Sequence, residues 1–119
     1  MSEQFERRFW EGLESLVASS EIVIDRPRGS AHPRYPALIY PLDYGYLQGP
    51  RSGDGEGINI WLGSLPERRV TAVIVTVDLF KRDAELKILL GCTPEEQRTI
   101  LVFVNTNQQR GILHPRHPS

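Results

Sequence analysis

The sequence predicts an α+β fold, mainly β, in which five or six short strands form a small barrel with a helix near each end. Three features support this prediction: an amphipathic first segment, many short apolar runs separated by Gly- and Pro-rich connections, and a capped helical segment after residue 93. The chain has 119 residues, of which 39% are apolar. A chain of this size can fold around its own core without a metal or a disulfide framework. We therefore expect one domain over residues 1–119.

The first helix is expected at residues 2–18, where Phe5, Phe9 and Leu13 recur at helical spacing among charged residues. This apolar stripe either covers the chain's own core or makes an oligomer contact. A β-branched strand is expected at residues 21–25. Prolines then divide residues 26–50 into short extended pieces, with strands expected at 37–40 and 44–47.

The barrel is expected to extend over about residues 21–92. Residues 52–57 contain three glycines and predict a tight loop, followed by a strand at 58–62. The β-branched run at 70–77 is typical of a central, mostly buried strand. In an extended segment over 81–88, alternation places one set of charged side chains on a single face: Lys81, Asp83, Glu85 and Lys87.

The second helix has the clearest start signal in the chain. Thr93 can act as the N-cap, Pro94 suits the first helical position, and Glu96 completes a capping box. We expect this helix at about residues 94–105, then a tail at 107–119 with a short strand near 111–113.

Charge and cysteine content narrow the class of protein. The formal net charge of −1 argues against a dedicated nucleic-acid binder. Cys92 is the only cysteine, which suggests a buried thiol, and the chain has no secretory segment or long apolar run. We therefore expect a cytoplasmic protein without a membrane or nucleic-acid partner. All basic residues except Lys81 and Lys87 are Arg, the residue that binds phosphate through a planar fork, although compositional bias explains this equally well.

Three clusters could carry chemistry. In a Pro-rich loop beside Asp25, the arginines Arg26, Arg28 and Arg34 could clamp a phosphate, or form a solvated basic loop. In the glycine-rich segment, the oxygen donors Asp54, Glu56 and Asn59 could hold a hard divalent cation, or belong to an ordinary hairpin turn. An EF-hand is excluded because its twelfth loop position would be Leu65.

The third cluster lies on the charged strand face. Asp83 and Glu85 could share a cation while Lys87 neutralises an anionic ligand, although a half-exposed strand would look similar. Together, the three clusters point to a polyphosphate ligand held with a metal. The histidines have no metal-binding spacing and receive no role: His32, His114 and His117.

The order of these motifs resembles the soluble inorganic pyrophosphatases. The resemblance covers about residues 21–90 and depends chiefly on Tyr40-Pro-Leu-Asp-Tyr44-Gly-Tyr46, which is followed by Gly53-Asp54-Gly-Glu56-Gly-Ile-Asn59 and later by Asp83-Ala-Glu85-Leu-Lys87. It implies a distorted five-stranded barrel of OB type with flanking helices. It also implies Mg²⁺-dependent hydrolysis of inorganic diphosphate, with Mn²⁺ as a possible substitute, in a homo-oligomer.

The resemblance also implies roles for individual residues. The metal ligands would be Asp54, Glu56, Asn59, Asp83 and Glu85. The catalytic residues would be Asp54, Tyr44, Lys87 and Glu56, the last as base for the nucleophilic water. The substrate would be bound by Arg34, Lys87, Tyr44, Tyr40 and Asp25.

The sequence departs from the family pattern at two of these positions. Glu56 stands where the family has Asp and is one methylene longer, and Asn59 replaces an Asp and removes a negative charge. A phosphate-binding Arg between residues 36 and 40 and a late Tyr-Lys pair are also missing. Two functions therefore stay open, a diphosphate hydrolase and a weakly active or non-catalytic domain that binds a diphosphate-containing ligand such as a nucleotide. A structural or assembly module is a third.

Overall fold

A computed structural model of the chain describes residues 2–51, 57–106 and 108–117, and it confirms the mainly β, α+β fold class. Within these ranges, neither helix is long and apolar enough to cross a membrane. The elements in chain order are α1 (Ser2–Ala18), β1 (Glu21–Arg26), β2 (Asp43–Arg51), β3 (Gly57–Leu62), β4 (Val70–Asp78), β5 (Asp83–Leu90), α2 (Pro94–Val104) and β6 (Gln109–Pro115).

The strands form one six-stranded sheet in the order β1-β2-β3-β5-β4-β6. The β3–β5 pair is parallel and the other neighbours are antiparallel. Among the described residues no pairing joins β1 to β6, so the sheet is open and has six strands, whereas the family resemblance implied a distorted five-stranded barrel. The sixth strand confirms the short strand expected near 111–113 and is longer than expected, because residues 109–115 pair with β4 along their whole length.

The strand expected at residues 37–40 is not formed. This segment contributes only an isolated bridge between Ala31 and Ile39. The physical reason is its proline content, since Pro33, Pro36 and Pro41 have no N–H to donate to a ladder. The segment instead wraps the end of the sheet as a series of turns.

The core divides into two clusters, one on each face of the sheet. On one face, α1 packs its Trp10 and Leu13 against apolar residues of the strands: Leu47, Ile60, Val70, Val73, Ile88 and Leu90. The predicted stripe is narrower than expected, because Phe5 and Phe9 stay 61% and 43% exposed. The other face lies under α2 and contains three aromatic side chains, Tyr40, Tyr44 and Trp61, together with Ala72, Ile74, Leu89, Cys92, Ile100 and Val104.

Two local features hold the second face in place. The predicted capping box is confirmed, because the Glu96 N–H donates to Thr93 Oγ1 at 3.1 Å and the Thr93 N–H donates to Glu96 Oε1 at 2.9 Å. Where β1 and β2 cross, a Cβ on Gly45 would lie 1.8 Å from the Val23 carbonyl oxygen. Only glycine fits at this close approach, which sets Tyr44 beside the end of β1.

Candidate active site

A cavity of about 170 Å³ opens on the α2 face of the sheet. The ends of β1, β2, β3 and β5 meet there with the turn after β4 and the segment after α2. Its charged lining residues are Asp25, Arg26, Lys81, Glu85 and Lys87.

Most of the site residues expected from the sequence converge on this cavity. Those that line it are Asp25, Tyr40, Tyr44, Asn59, Glu85 and Lys87. Arg34 is exposed and Asp83 is half-buried, and neither is among the lining residues. Asp54 and Glu56 lie outside the described residues.

Lys87 is the most deeply placed charge in the cavity. It is 5% exposed, its Nζ lies 3.9 Å from Glu85 Oε2 and 5.3 Å from the centre of the Tyr44 ring. Burial lowers the pKa of Lys87, and the neighbouring Glu85 carboxylate opposes this effect without cancelling it. Within the described part of the chain Nζ donates no hydrogen bond. A buried ammonium whose nearest described carboxylate lies 3.9 Å away is well suited to bind an anion.

Of the three arginines that could clamp a phosphate, Arg26 lines the cavity and Arg34 does not. Its guanidinium hydrogen-bonds the Tyr40 hydroxyl and lies over the Tyr40 and Tyr44 rings, at 5.5 and 5.9 Å from their centres. The β1–β2 register shifts between Ile24 and Arg26, which lets consecutive residues 25 and 26 both reach the cavity. The sequence showed the arginine cluster but not this bulge.

His32 also lines the cavity, although no pattern in the sequence assigned it a role. Its Nδ1 accepts hydrogen bonds from the backbone N–H groups of Arg34 at 3.0 Å and Tyr35 at 3.2 Å. Burial lowers the pKa of His32, and the nearby Arg26 and Lys81 charges lower it further. The ring is therefore neutral, with its proton on Nε2. The same turn directs the Arg34 side chain into solvent.

Aromatic rings form the back wall of the cavity. Tyr44 and Trp61 lie 4.7 Å apart between ring centres, Trp61 and Phe103 lie 5.6 Å apart, and Tyr35 accepts a hydrogen bond from Gln108 Nε2 at 3.1 Å. Trp61 is buried, and its Nε1 has no hydrogen-bond partner among the described residues. Burial also raises the pKa of Tyr44, so its hydroxyl stays protonated and can donate. These rings come from separate segments, so no local motif could reveal the cluster.

The donor chemistry of the cavity fits a hard divalent cation. Asp25 and Glu85 offer carboxylate oxygens and Asn59 offers an amide oxygen, and oxygen is the ligand atom that Mg²⁺ and Mn²⁺ prefer. Within the described ranges no three acidic, His or Cys side chains group closely enough to hold a metal alone. The other ligands expected from the sequence are Asp83, half-buried at the start of β5, and Asp54 and Glu56, which lie outside the described residues.

Comparisons with known proteins identify the fold of the chain but not its activity. No family model and no curated protein matches the sequence. Among solved structures, an inorganic pyrophosphatase from Neisseria gonorrhoeae matches with a TM-score of 0.62 and 16% identity, over 79% of this chain and 80% of that chain. An inorganic pyrophosphatase from Helicobacter pylori matches with a TM-score of 0.61 and 14% identity, over 83% and 86% of the two chains.

The chain has the fold of the inorganic pyrophosphatases. An inorganic phosphatase from Anaplasma phagocytophilum is similar as well, with a TM-score of 0.58 and 13% identity, over 79% of this chain and 82% of that chain. At such low identity the likeness establishes the fold alone. Because one fold hosts many functions, the evidence for an activity lies in the residues of the cavity.

Proposed function

We propose that the chain is a metal-dependent phosphohydrolase of the inorganic pyrophosphatase type, which hydrolyses diphosphate to two phosphates. The observation that carries this proposal is the buried ammonium of Lys87, which shares one cavity with Arg26 and Glu85 on a pyrophosphatase-like fold. A buried cation is costly for the fold, and an anionic substrate would offset that cost.

The cavity has the size and charge of a small-anion site. Its volume of about 170 Å³ lies below the range of about 300 to 1,000 Å³ that is common for larger organic ligands. Arg26, Lys81 and Lys87 outnumber the lining carboxylates Asp25 and Glu85. We propose that these cations bind the phosphate groups, with Arg34 at the entrance, Tyr40 holding Arg26, and the Tyr44 hydroxyl donating to a phosphate oxygen.

We propose that Mg²⁺, or Mn²⁺ in its place, is held by five side chains: Asp54, Glu56, Asn59, Asp83 and Glu85. When bound, such a metal lowers the pKa of a coordinated water and polarises a phosphoryl oxygen.

The chain's own residues would perform the remaining steps. Glu56 is the proposed base and takes a proton from the water that attacks one phosphorus atom. The bond from that phosphorus to the bridging oxygen breaks, and the leaving phosphate keeps the electron pair. Lys87 and Arg26 stabilise the negative charge that develops on this group.

The second candidate function is binding of a diphosphate-containing ligand, such as a nucleotide, with little or no turnover. The residue that favours it is Asn59, which lines the cavity and supplies a neutral oxygen where a carboxylate would hold a cation more tightly. The basic residues of the cavity would bind phosphate groups under either candidate function, so they do not distinguish the two.

The two candidates differ in phosphate release from inorganic diphosphate with Mg²⁺ or Mn²⁺. We expect wild type to release phosphate, Asp54→Ala to lose activity by orders of magnitude, and Glu67→Ala, a control at an exposed acidic residue outside the cavity, to match wild type. An inactive wild type with an active Asn59→Asp variant would establish the binding domain instead. Full activity in Asp54→Ala would refute the proposed ligand set.

A further inference from the structure

A second cavity, of about 420 Å³, lies where the segment between β3 and β4 meets the start of α2 and the end of β6. Among the described residues it shares no lining residue with the cavity around Lys87. Its apolar lining comes from Leu65, Pro66, Val70 and Pro94. The volume lies within the range of about 300 to 1,000 Å³ that is common for sites of small organic ligands.

Backbone hydrogen bonds hold the walls of the second cavity in place. Gly91 accepts a hydrogen bond from the Leu65 N–H at 2.9 Å, and its own N–H donates to the Arg69 carbonyl at 2.8 Å. On the other side, the Arg116 N–H donates to the Thr71 carbonyl at 2.9 Å. The cavity is therefore formed before any ligand enters, so that binding costs little ordering of the chain.

Gln97 supplies an unpaired hydrogen-bond acceptor to the second cavity. Its side chain is a buried polar group, 7% exposed, and its Nε2 donates to the Cys92 carbonyl at 3.1 Å. This bond fixes the orientation of the amide, because only the nitrogen can donate. Oε1 accepts no hydrogen bond from any described residue, and Gln97 lines the cavity. A buried acceptor without a donor costs free energy, so a bound molecule with an N–H or O–H group would relieve that cost.

The charges of the second cavity suit a ligand with one negative charge. Arg116 uses its Nη1 to bind Glu14 Oε2 at 2.7 Å and the Val70 carbonyl at 3.1 Å, and its Nε and Nη2 donate to no described residue. The lining contains two guanidinium groups, Arg69 and Arg116, and one carboxylate, Glu67. Glu14 contacts both guanidinium groups and reduces their attraction further. This balance favours a carboxylate over a phosphate, which carries nearly two charges at pH 7.

We propose that the second cavity binds a small organic carboxylate whose apolar ring system carries an N–H or O–H donor. The carboxylate binds to Arg69 and Arg116, the donor binds to Gln97 Oε1, and the ring packs against the apolar lining. A ring system suits this cavity because a rigid body loses little conformational freedom when it binds. The site is separate from the cavity around Lys87, so the proposal does not depend on diphosphate hydrolysis.

Three probes of similar size test the proposal by nuclear magnetic resonance of ¹⁵N-labelled wild-type protein. Indole-3-acetate has the ring system, the N–H donor and the carboxylate, whereas 1-naphthylacetate lacks the donor and indole-3-acetamide lacks the charge. We expect indole-3-acetate to shift the backbone amide signals of Thr71, Cys92 and Gln97 with a dissociation constant below about 1 mM. Each of the other two probes should bind about tenfold more weakly.

Substitutions assign the two polar contacts separately. Gln97→Met keeps the length of the side chain and removes the acceptor, so it should weaken indole-3-acetate about tenfold and leave 1-naphthylacetate unchanged. Arg69 has a side chain that is 58% exposed, and Arg69→Met should weaken both carboxylates about threefold to tenfold while leaving indole-3-acetamide unchanged. Arg98→Met is the matched control, because Arg98 is exposed on α2 and does not line the second cavity. Circular dichroism confirms that each variant is folded.

The comparison of the three probes on wild type, together with Arg69→Met, changes no buried side chain and decides the proposal even if Gln97→Met does not fold. Unchanged amide signals at Thr71, Cys92 and Gln97 with about 5 mM indole-3-acetate would overturn the proposal. Equal binding of the three probes would also overturn it, because the cavity would then recognise only an apolar body. So would equal weakening of indole-3-acetate by Arg69→Met and Arg98→Met, because the carboxylate would then not be bound at this cavity.

Discussion

Replacing Lys87 by Met measures two contributions of the buried ammonium separately: its contribution to diphosphate affinity and its contribution to the stability of the fold. Met has nearly the same length and an apolar, flexible side chain, so it can fill the same space between Tyr44 and Glu85. The substitution removes a charge that is 5% exposed and has a carboxylate only at 3.9 Å. Glu85 keeps contact with solvent, because its side chain is 28% exposed, so it is not left as a buried unpaired charge.

The expected loss of diphosphate affinity follows from the buried position of the Lys87 charge. At a separation of about 4 Å and an effective dielectric constant of about 20, the attraction between the ammonium and one phosphate charge is about 4 kcal/mol. This corresponds to roughly 1,000-fold in affinity, and we expect a loss of about 100- to 1,000-fold once the solvation of the free ligand is allowed for. Stability should be unchanged or higher by about 1 kcal/mol, because a poorly paired buried charge is removed.

Isothermal titration calorimetry of a non-hydrolysable diphosphate analogue with Mg²⁺ measures the affinity without turnover, and urea unfolding measures the stability. The control is Lys81→Met, since Lys81 lies at the exposed edge of the same cavity and its attraction in a water-like dielectric is about 1 kcal/mol, or less than about tenfold. Diphosphate affinity within about threefold of wild type in Lys87→Met would refute the reasoning. A loss of stability above about 3 kcal/mol would instead show that Lys87 is part of a structural ion pair.

Five further substitutions, at four positions, test local structure in the cavity and elsewhere in the fold. Folding lowers the pKa of His32, so the folded protein should lose stability as the pH falls below the ordinary histidine pKa near 6.5. His32→Asn keeps an acceptor for the two backbone N–H groups and cannot be protonated. It should therefore reduce the change in melting temperature between about pH 7.5 and pH 5. Thr93→Ala should cost about 1 kcal/mol in urea unfolding, whereas Thr93→Ser should not, and equal losses would argue against the cap. Gly45→Ala should prevent stable folding, because the added Cβ would lie 1.8 Å from the Val23 carbonyl oxygen. Gly12→Ala is the control: an added Cβ there has nothing within 4 Å and should stabilise α1 by about 0.5 to 1 kcal/mol. A folded Gly45→Ala protein would contradict the close packing of β1 on β2.

Local signals predicted the elements whose formation depends on nearby residues. The first helix has the predicted bounds, and the second begins at its capping box and ends one residue before the expected end. The alternation after residue 81 correctly placed Asp83, Glu85 and Lys87 on one face of β5, because strand geometry alone decides it.

Features that depend on distant parts of the chain could not be read from the sequence. The pairing with β4 extends the short strand expected near 111–113 over residues 109–115, and Phe103 reaches the cavity only because α2 packs over Trp61. The exchange of Arg34 for Arg26 in the cavity lining results from a bulge at the end of β1 and from the turn that His32 caps. Each is set by tertiary contacts that no local pattern encodes.

The central claim is that the cavity around Lys87 binds diphosphate. Nuclear magnetic resonance tests it most directly, by following backbone amide signals of ¹⁵N-labelled wild-type protein while a non-hydrolysable diphosphate analogue is added in the presence of Mg²⁺. We predict that the largest shifts occur at Arg26, Asn59, Glu85 and Lys87, and that Gln97, which lines the second cavity near Cys92, stays unchanged. No change at a saturating concentration of the analogue, or shifts centred on this second cavity, would contradict the account.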